Sequence, residues 1–179
     1  NAQNINKVIA IVKEALKKDK TVVVSSAISG CTDELIAIGK EALSQNENYT
    51  VRIDQLELRH ISLIEELIPA EDYTSIKQEC KELFNKLREI CKGVFLLKEL
   101  SNLSLDHIVS FGEILSTKII SAKLKSLNIS HIWKDSRELV TTEPVNGKNI
   151  VIQDLTNWKI KEFFEQSNHK LYIMPGFIA

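Results

Sequence analysis

The stretch that most limits how this chain can fold is Thr21–Leu43, TVVVSSAISGCTDELIAIGKEAL. Val22, Val23 and Val24 are β-branched and adjacent, so they favour extended backbone without alternating polar and apolar positions. Such a run predicts a central strand of a parallel sheet, covered on both faces. Small and polar residues follow from Ser25 to Thr32. Leu35, Ile36, Gly39, Ala42 and Leu43 then recur at helical spacing. The order is strand, loop, helix.

The rest of the chain extends this alternation. Residues 4–18 put Ile5, Val8, Ile9, Val12, Ala15 and Leu16 on one helical face, opened by Asn4 and closed by lysines. After a break at Gln45–Asn48, residues 51–68 carry Ile53, Leu56, Ile61, Ile64, Leu67 and Ile68 near helical period, and Pro69 stops that helix. Residues 71–92 are the cleanest helix, with Ile76, Cys80, Leu83, Leu87, Ile90 and Cys91 on one face. No strand signal separates these two helices, which predicts a helical hairpin set into an α/β chain. Residues 104–127 form a further helix that opens at Ser104 or Leu105. His131–Trp133 and Glu138–Thr142 read as strands and Glu143–Gly147 as a turn. Residues 154–167 read as a helix capped by Asp154 or Thr156. Leu171–Met174 reads as a last buried strand, stopped by Pro175 and Gly176. The whole predicts a three-layer α/β domain with a mainly parallel sheet.

Composition closes off other classes. With 179 residues the chain can bury a core. Its net charge of −1 gives no general attraction to nucleic acid or anionic membrane. No apolar run approaches the roughly 18–20 residues that a membrane span needs. The three cysteines, Cys31, Cys80 and Cys91, are odd in number and sparse, which fits a reducing cytoplasm rather than a disulfide framework. His60, His107, His131 and His169 lack metal-ligand spacing, so no metal site is expected. Lys98–Leu100 and Lys123–Lys125 read as solvated faces, and Trp133 and Trp158 as core.

Ligands of parallel sheets bind beyond the carboxyl ends of the strands. That directs attention to Ser25–Thr32, Lys134–Arg137 and Pro175–Ala179. In the first, Gly30 lets backbone approach a ligand closely. A helix beginning near Thr32 and Asp33 would offer unpaired N–H groups and a positive dipole end to a carboxylate or phosphate. The hydroxyls of Ser25, Ser26, Ser29 and Thr32 could add hydrogen bonds. The same residues also read as a plain strand–turn–helix with Thr32 or Asp33 as its N-cap, and spacing alone does not separate the two readings. The P-loop pattern is absent. A second candidate is Phe111-Gly112-Glu113. A glycine inside a strong helix costs up to ~1 kcal/mol against alanine, which is tolerable where something approaches the helix surface. Glu113 beside it could meet a cation, or simply be solvated.

The residues of these segments resemble a known family. Val24-Ser25-Ser26-Ala27-Ile28-Ser29-Gly30-Cys31-Thr32-Asp33-Glu34-Leu35 resembles the VVSAxxGxTDxL segment of aspartate kinases. Ser110–Ser116, SFGEILS, resembles their S-x-GE-x-LS segment. Asp135-Ser136-Arg137 with Val140-Thr141-Thr142 resembles their D-x-R-x-x-I/V-x-T region, and Met174–Ala179, MPGFIA, their PGFIA/G segment. The matches come in the family's order. The resemblance implies an amino-acid kinase three-layer αβα sandwich, in incomplete form. Residues 1–179 would be the N-terminal part of the kinase domain, with a helical insertion over about 47–103, as in lysine-sensitive and homoserine dehydrogenase-fused enzymes.

The activity implied is transfer of the ATP γ-phosphate, with Mg2+, to the β-carboxylate of L-aspartate in lysine, threonine and methionine biosynthesis. Ser26 and Thr32 would bind aspartate, and Gly30 would allow its close approach. Glu113 would pair with the α-ammonium, and Phe177 would line the pocket. The full-length protein would be a cytoplasmic homo-oligomer. Two family parts are expected to lie outside the chain: the KFGGTSV segment, whose lysine meets the transferring phosphate, before Asn1, and TTLGRGGSDxTA after Ala179. No catalytic residue is then expected within residues 1–179, and this stretch alone is expected not to turn over. Two other readings compete. One is an acetylglutamate or glutamate 5-kinase type; the other is a non-catalytic helical interaction module.

Overall fold

The computed structural model describes residues 1–145 and 148–176, apart from the side chain of Lys148. In chain order the elements are α1 (Ala2–Leu16), β1 (Thr21–Ser25), α2 (Cys31–Leu43), α3 (Asn48–Leu67), α4 (Tyr73–Leu97) and α5 (Asn102–Ser126). They are followed by β2 (Ile132–Trp133), a 3-10 turn (Ser136–Glu138), β3 (Thr142–Val145), β4 (Lys148–Val151), α6 (Gln153–Gln166) and β5 (Leu171–Pro175).

The last strand sits in the middle. The sheet order is β1-β5-β2 with both pairings parallel, and Ile173 stands opposite Val23 on one side and Trp133 on the other. All positions of β5 are buried, and its side chains alternate between two helical layers. Leu171 and Ile173 pack against Ile9 and Val12 of α1 and Ile120 and Leu124 of α5. Tyr172 and Met174 point the other way, to Leu139 and to Ile160, Phe163 and Phe164 of α6. The Tyr172 ring meets Phe163 and Phe164 edge-on, at centroid distances of 5.7 and 4.8 Å. Helices, sheet and helix give three layers, an αβα sandwich in part.

The expectation for β1 needs correcting. It is an edge strand among the described residues, and its valines are not covered on both faces. Val22 and Val24 stand opposite Tyr172 and Met174 in register, hence on the α6 face. Yet they are 46% and 63% exposed, because α6 lies over the β5–β2 side.

The region after β2 was also misread. Ser136–Glu138 is a 3-10 turn capped by Asp135, not the start of a strand. Thr142–Val145 then pairs antiparallel with β4, so Glu143 to Val145 is strand rather than turn. A proline signals a turn in sequence, but Pro144 is tolerated here in a two-stranded edge ribbon. Residues 146–147 of the expected turn lie outside the described residues.

The helices α3 and α4 follow one another without a strand and pack on α2 and α5. Ile53, Ile64, Phe84, Leu87 and Cys91 form one core with Leu35 and Ile38 of α2 and Ile108 and Leu115 of α5. Smaller expectations were revised. Asn1, not Asn4, caps α1, its Oδ1 accepting from Asn4 N at 3.0 Å. The cap position of α6 is Ile152 and makes no side-chain bond. Trp158 points outward at 57% exposure. Lys123 is not merely solvated: its Nζ donates to the Leu67 carbonyl at 2.7 Å, where α3 ends and its last carbonyls need partners.

One buried group in this helical core gives a pH prediction. His60 is fully buried against Phe84, with Nδ1 donating to Leu56 O at 2.8 Å. Nε2 is buried without a hydrogen-bond partner. Desolvation, aided by the Arg59 charge, holds its pKa below the usual value despite the Leu56 bond. The unfolded chain therefore takes up a proton as pH falls below about 6.5, while folded His60 refuses it until lower pH. Stability is full above that range and is lost as pH falls through it, by at most about 1.4 kcal/mol per pH unit. The variant His60→Leu should show a flatter fall in melting temperature between about pH 7.5 and 5.5 than the parent. Parallel curves would rule out this assignment.

Candidate functional site

The site is built where β1 and β5 end. After Ser25 the chain crosses residues 26–30 and enters α2 through Gly30, which serves as N-cap with φ +75°. Left-handed backbone of this kind is cheap only for glycine. Thr32 and Asp33 are thus inside the helix, whose N-cap lies two or three residues earlier than the one expected from sequence. No side chain caps α2; Cys31 N–H is bonded to Ile28 O, and the N–H groups of Thr32 and Asp33 lack intrahelical partners at the positive end of the helix dipole.

The loop's carbonyls are turned the other way. Ser25 O accepts from Gly176 N at 3.1 Å, and Ser26 O from Ser116 Oγ at 2.7 Å. Ile28 O accepts from Cys31 N at 2.8 Å, Ser29 O from Arg59 Nη2 at 2.6 Å, and Gly30 O from Glu34 N at 3.2 Å. Nearly every negative backbone end in the loop is therefore held by the protein. What remains to face a ligand is rich in donors, including the exposed hydroxyls of Ser26 and Thr32.

Two glycines bring α5 against this loop. A Cβ on Gly112 would stand 2.8 Å from Ala27 Cβ, 3.2 Å from Leu35 Cδ1 and 3.3 Å from Cys31 Sγ. One on Gly39 would meet Ile108 and Leu105 of α5 at 3.4 and 3.6 Å. The helices α2 and α5 thus cross antiparallel at close range, and the object that approaches Gly112 is the loop itself. The next residue, Glu113, is half-buried. Its Oε2 lies 3.1 Å from where a Cβ on Gly176 would be, and that position is also 3.4 Å from Val24 Cγ1. A carboxylate is thereby held at the ends of β1 and β5.

The third segment supports the other two. Asp135 and Arg137 form a forked pair, the guanidinium reaching Asp135 Oδ2 at 2.6 Å. Burial opposes charge on Asp135, but the side chain and backbone N–H of Arg137 outweigh it and hold its carboxyl below the usual range. Arg137 Nη1 continues to Ser110 Oγ at 2.9 Å, one turn before Glu113. Ser136 Oγ donates to the Pro175 carbonyl. This segment therefore ties the ends of β2 and β5 to α5.

Of the residues singled out in sequence, Ser26 and Gly30 lie in the loop that leaves β1, Thr32 in the first turn of α2, and Glu113 on α5 with its Oε2 against Gly176 beyond the end of β5. Phe177 lies outside the described residues. Cys31 is fully buried, and burial pushes its thiol up to about 11, so it stays protonated and non-nucleophilic at neutral pH. Burial likewise pushes Cys80 and Cys91 to about 12. Among the described residues no group of three His, Cys, Asp or Glu side chains could hold a metal ion, and no helix is long and apolar enough to cross a membrane. Sequence reading missed Ser116, although it lies one turn after Glu113 on the same face. It also missed Thr117, whose Oγ1 donates to Glu113 O at 2.8 Å and accepts from Trp133 Nε1 at 3.0 Å. Arg59 carried no signal at all: it is an exposed cation 30 residues away from its partner Ser29.

A parallel sheet with helices on both faces, and a donor-lined strand–loop–helix at its carboxyl end, defines a small-molecule-binding α/β domain. The chain belongs to the amino acid kinase family, whose model matches residues 1–179. Among curated relatives it is similar to the chloroplastic bifunctional aspartokinase/homoserine dehydrogenase 1 of Arabidopsis thaliana, at 23% identity over all of this chain and 20% of that protein. The chloroplastic aspartokinase 3 of the same plant is 30% identical over 74% of this chain and 24% of its own length. The chain thus spans about a fifth to a quarter of the length of these relatives. Among solved structures, E. coli aspartokinase III in complex with aspartate and ADP matches 99% of this chain and 38% of its own, with TM-score 0.83 at 21% identity. Its complex with lysine and aspartate matches with TM-score 0.80. These likenesses establish the fold.

Proposed function

We propose that this chain forms the aspartate-binding part of an aspartate kinase, residues 1–179 being the N-terminal part of the kinase domain with a helical insertion over about 47–103. The observation that carries the reading is the pairing of opposite needs at the carboxyl end of one sheet. Donors of the Ser26 loop and α2 suit a carboxylate, and the Glu113 carboxylate suits an ammonium. A zwitterionic amino acid with an acidic side chain presents both. Ser26 and Thr32 hold a substrate carboxylate, Gly30 lets it come close, Glu113 takes the α-ammonium, and the family resemblance adds Phe177 to the pocket lining. The names of the relatives, aspartokinases alone or fused to homoserine dehydrogenase, support the same substrate.

The reaction is transfer of the ATP γ-phosphate to the β-carboxylate of L-aspartate, on the route to lysine, threonine and methionine. A carboxylate nucleophile is already charged, so these residues have to position it rather than deprotonate it. Mg2+ is held largely by the nucleotide phosphates in such reactions. The described residues offer it no ligand cluster. The whole enzyme is a homo-oligomer of the cytoplasm. Its buried free cysteines suit a reducing compartment, and the exposed Leu96, Leu97 and Leu103 offer an apolar surface for self-association.

The interaction-module reading is less well supported, because α3 and α4 bury their apolar faces on α2 and α5 of the same chain. The test is ADP release by the enzyme that carries this chain. Aspartate should be the preferred acceptor over glutamate and N-acetylglutamate. N-acetylglutamate has no ammonium for Glu113, so a preference for it would overturn the reading.

A further inference from the structure

We propose that Arg59 of α3 is a positioning residue for the substrate loop, through which the helical hairpin sets the enzyme's affinity for its anionic substrate. This rests on the reading of the Ser26–Thr32 loop as the aspartate site.

The bond between Ser29 and Gly30 has its carbonyl held by Arg59 Nη2 at 2.6 Å. Nothing in the local chain would hold it there. Gly30 stands at φ +75°, where glycine moves readily between backbone basins. A flip of this peptide would swing the Ser29 oxygen toward the side its partner N–H now serves. The loop would then present an acceptor to an anion. The other held carbonyls are fixed from within the loop, by α2, by α5 or by Gly176. Among these held carbonyls, Ser29 O is the one held by α3.

Charge points the same way. The first turn of α2 carries Asp33 and Glu34, which favour the helix but repel an incoming carboxylate. Glu34 is paired with Arg52 Nη1 at 2.8 Å, and Arg52 also binds Glu41 at 2.8 Å. No such partner is given to Asp33 by α3, and Arg59 is the next cation along that helix. Arg52 and Arg59 are seven residues apart, two turns on one face of α3. One braces the body of α2 and the other its entry loop. The field of Arg59 does reach the loop: at Cys31 burial dominates, and Arg59 is the main influence in the opposite direction. A second cation beside the loop therefore offsets the acids that the helix start brings with it.

The experiment uses the full enzyme with Arg59→Ala, Arg59→Gln and Arg59→Lys, each measured for KM of aspartate, KM of ATP, kcat and melting temperature. Arg59→Ala should raise the aspartate KM about tenfold, with kcat within about twofold and the KM of ATP unchanged. Arg59→Lys, which keeps charge and a donor, should recover most of the loss. Arg59→Gln should fall between. Added salt should weaken aspartate binding more in the parent than in Arg59→Ala. Should the alanine variant fail to fold, Gln against Lys carries the same comparison. An aspartate KM within about twofold of the parent in Arg59→Ala would overturn the proposal. So would equal losses in both KM values and kcat that Lys does not rescue. Glu113→Ala is run beside them. If it destroys aspartate saturation while Arg59→Ala is silent, only the Arg59 proposal fails. If saturation survives Glu113→Ala as well, the reading of the site itself fails.

Discussion

Replacing Glu113 by alanine in the enzyme that carries this chain is expected to raise the aspartate KM by about 10²–10³, the equivalent of roughly 3–4 kcal/mol for a desolvated charge left without its partner. The size follows from where the carboxylate sits. Glu113 is half-buried on α5, and its Oε2 lies against the backbone at Gly176. Its backbone is fixed from behind, since Glu113 O accepts from Thr117 Oγ1 at 2.8 Å and from Ser116 Oγ at 3.1 Å. A substrate ammonium brought there loses water and needs a fixed negative partner. Glu113→Gln keeps an acceptor without the charge and should lie between parent and alanine. Succinate, which has the carboxylates but no amine, makes the decisive control. Its weak competition against aspartate should be nearly unaffected by Glu113→Ala. Equal loss for succinate and aspartate would mean that Glu113 shapes the pocket rather than reading the ammonium.

Particular residues show what could be read in advance. Helices were legible wherever apolar residues repeated over several turns, as from Ile53 to Leu67 or Ile76 to Cys91, because a buried stripe has one period whatever it packs against. The strand at Val22–Val24 was legible, but its coverage was not, since coverage is set by where α6 lies and not by the valines. Pro144 was misread because a proline's local signal is the same at a turn and at an exposed edge strand. In the site, Gly30 and Gly112 stood out because each breaks a local preference, and such breaks need a tertiary cause. The structure supplies it: a left-handed cap at one and the packed loop at the other. Ser116 and Arg59 break no local rule. A serine in a helix and an arginine on a surface are ordinary, and only three-dimensional contact reveals that both hold loop carbonyls.

The second large effect is expected from a change that local propensity would favour. Alanine at position 112 improves α5 as an isolated helix by up to ~1 kcal/mol. In the fold its Cβ would lie 2.8 Å from Ala27 Cβ. That carbon is attached directly to the loop backbone and cannot rotate away, unlike the Leu35 methyl at 3.2 Å. The Cys31 sulfur at 3.3 Å is fully buried and has little room to give. The loop must therefore move off α5. Overpacking of this kind costs about 1–3 kcal/mol, so the net change is a destabilisation despite the better helix former. Movement of the loop also strains the bond from Ser116 Oγ to Ser26 O, one turn further along α5. Displacing a binding loop by a fraction of an ångström to an ångström can cost up to about 10² in rate, so the aspartate KM should rise at least about tenfold while that of ATP holds. Gly39→Ala is the matched control. The atoms nearest its Cβ would be the flexible ends of Ile108, Leu100 and Leu105, at 3.4 to 3.6 Å. It lies on the same helix crossing but two turns from the loop. It should leave the aspartate KM within about twofold. If Gly112→Ala is instead more stable than the parent and binds aspartate as well, the crossing of α2 and α5 does not set the loop's place, and the geometry of the whole site must be rethought from that contact outward.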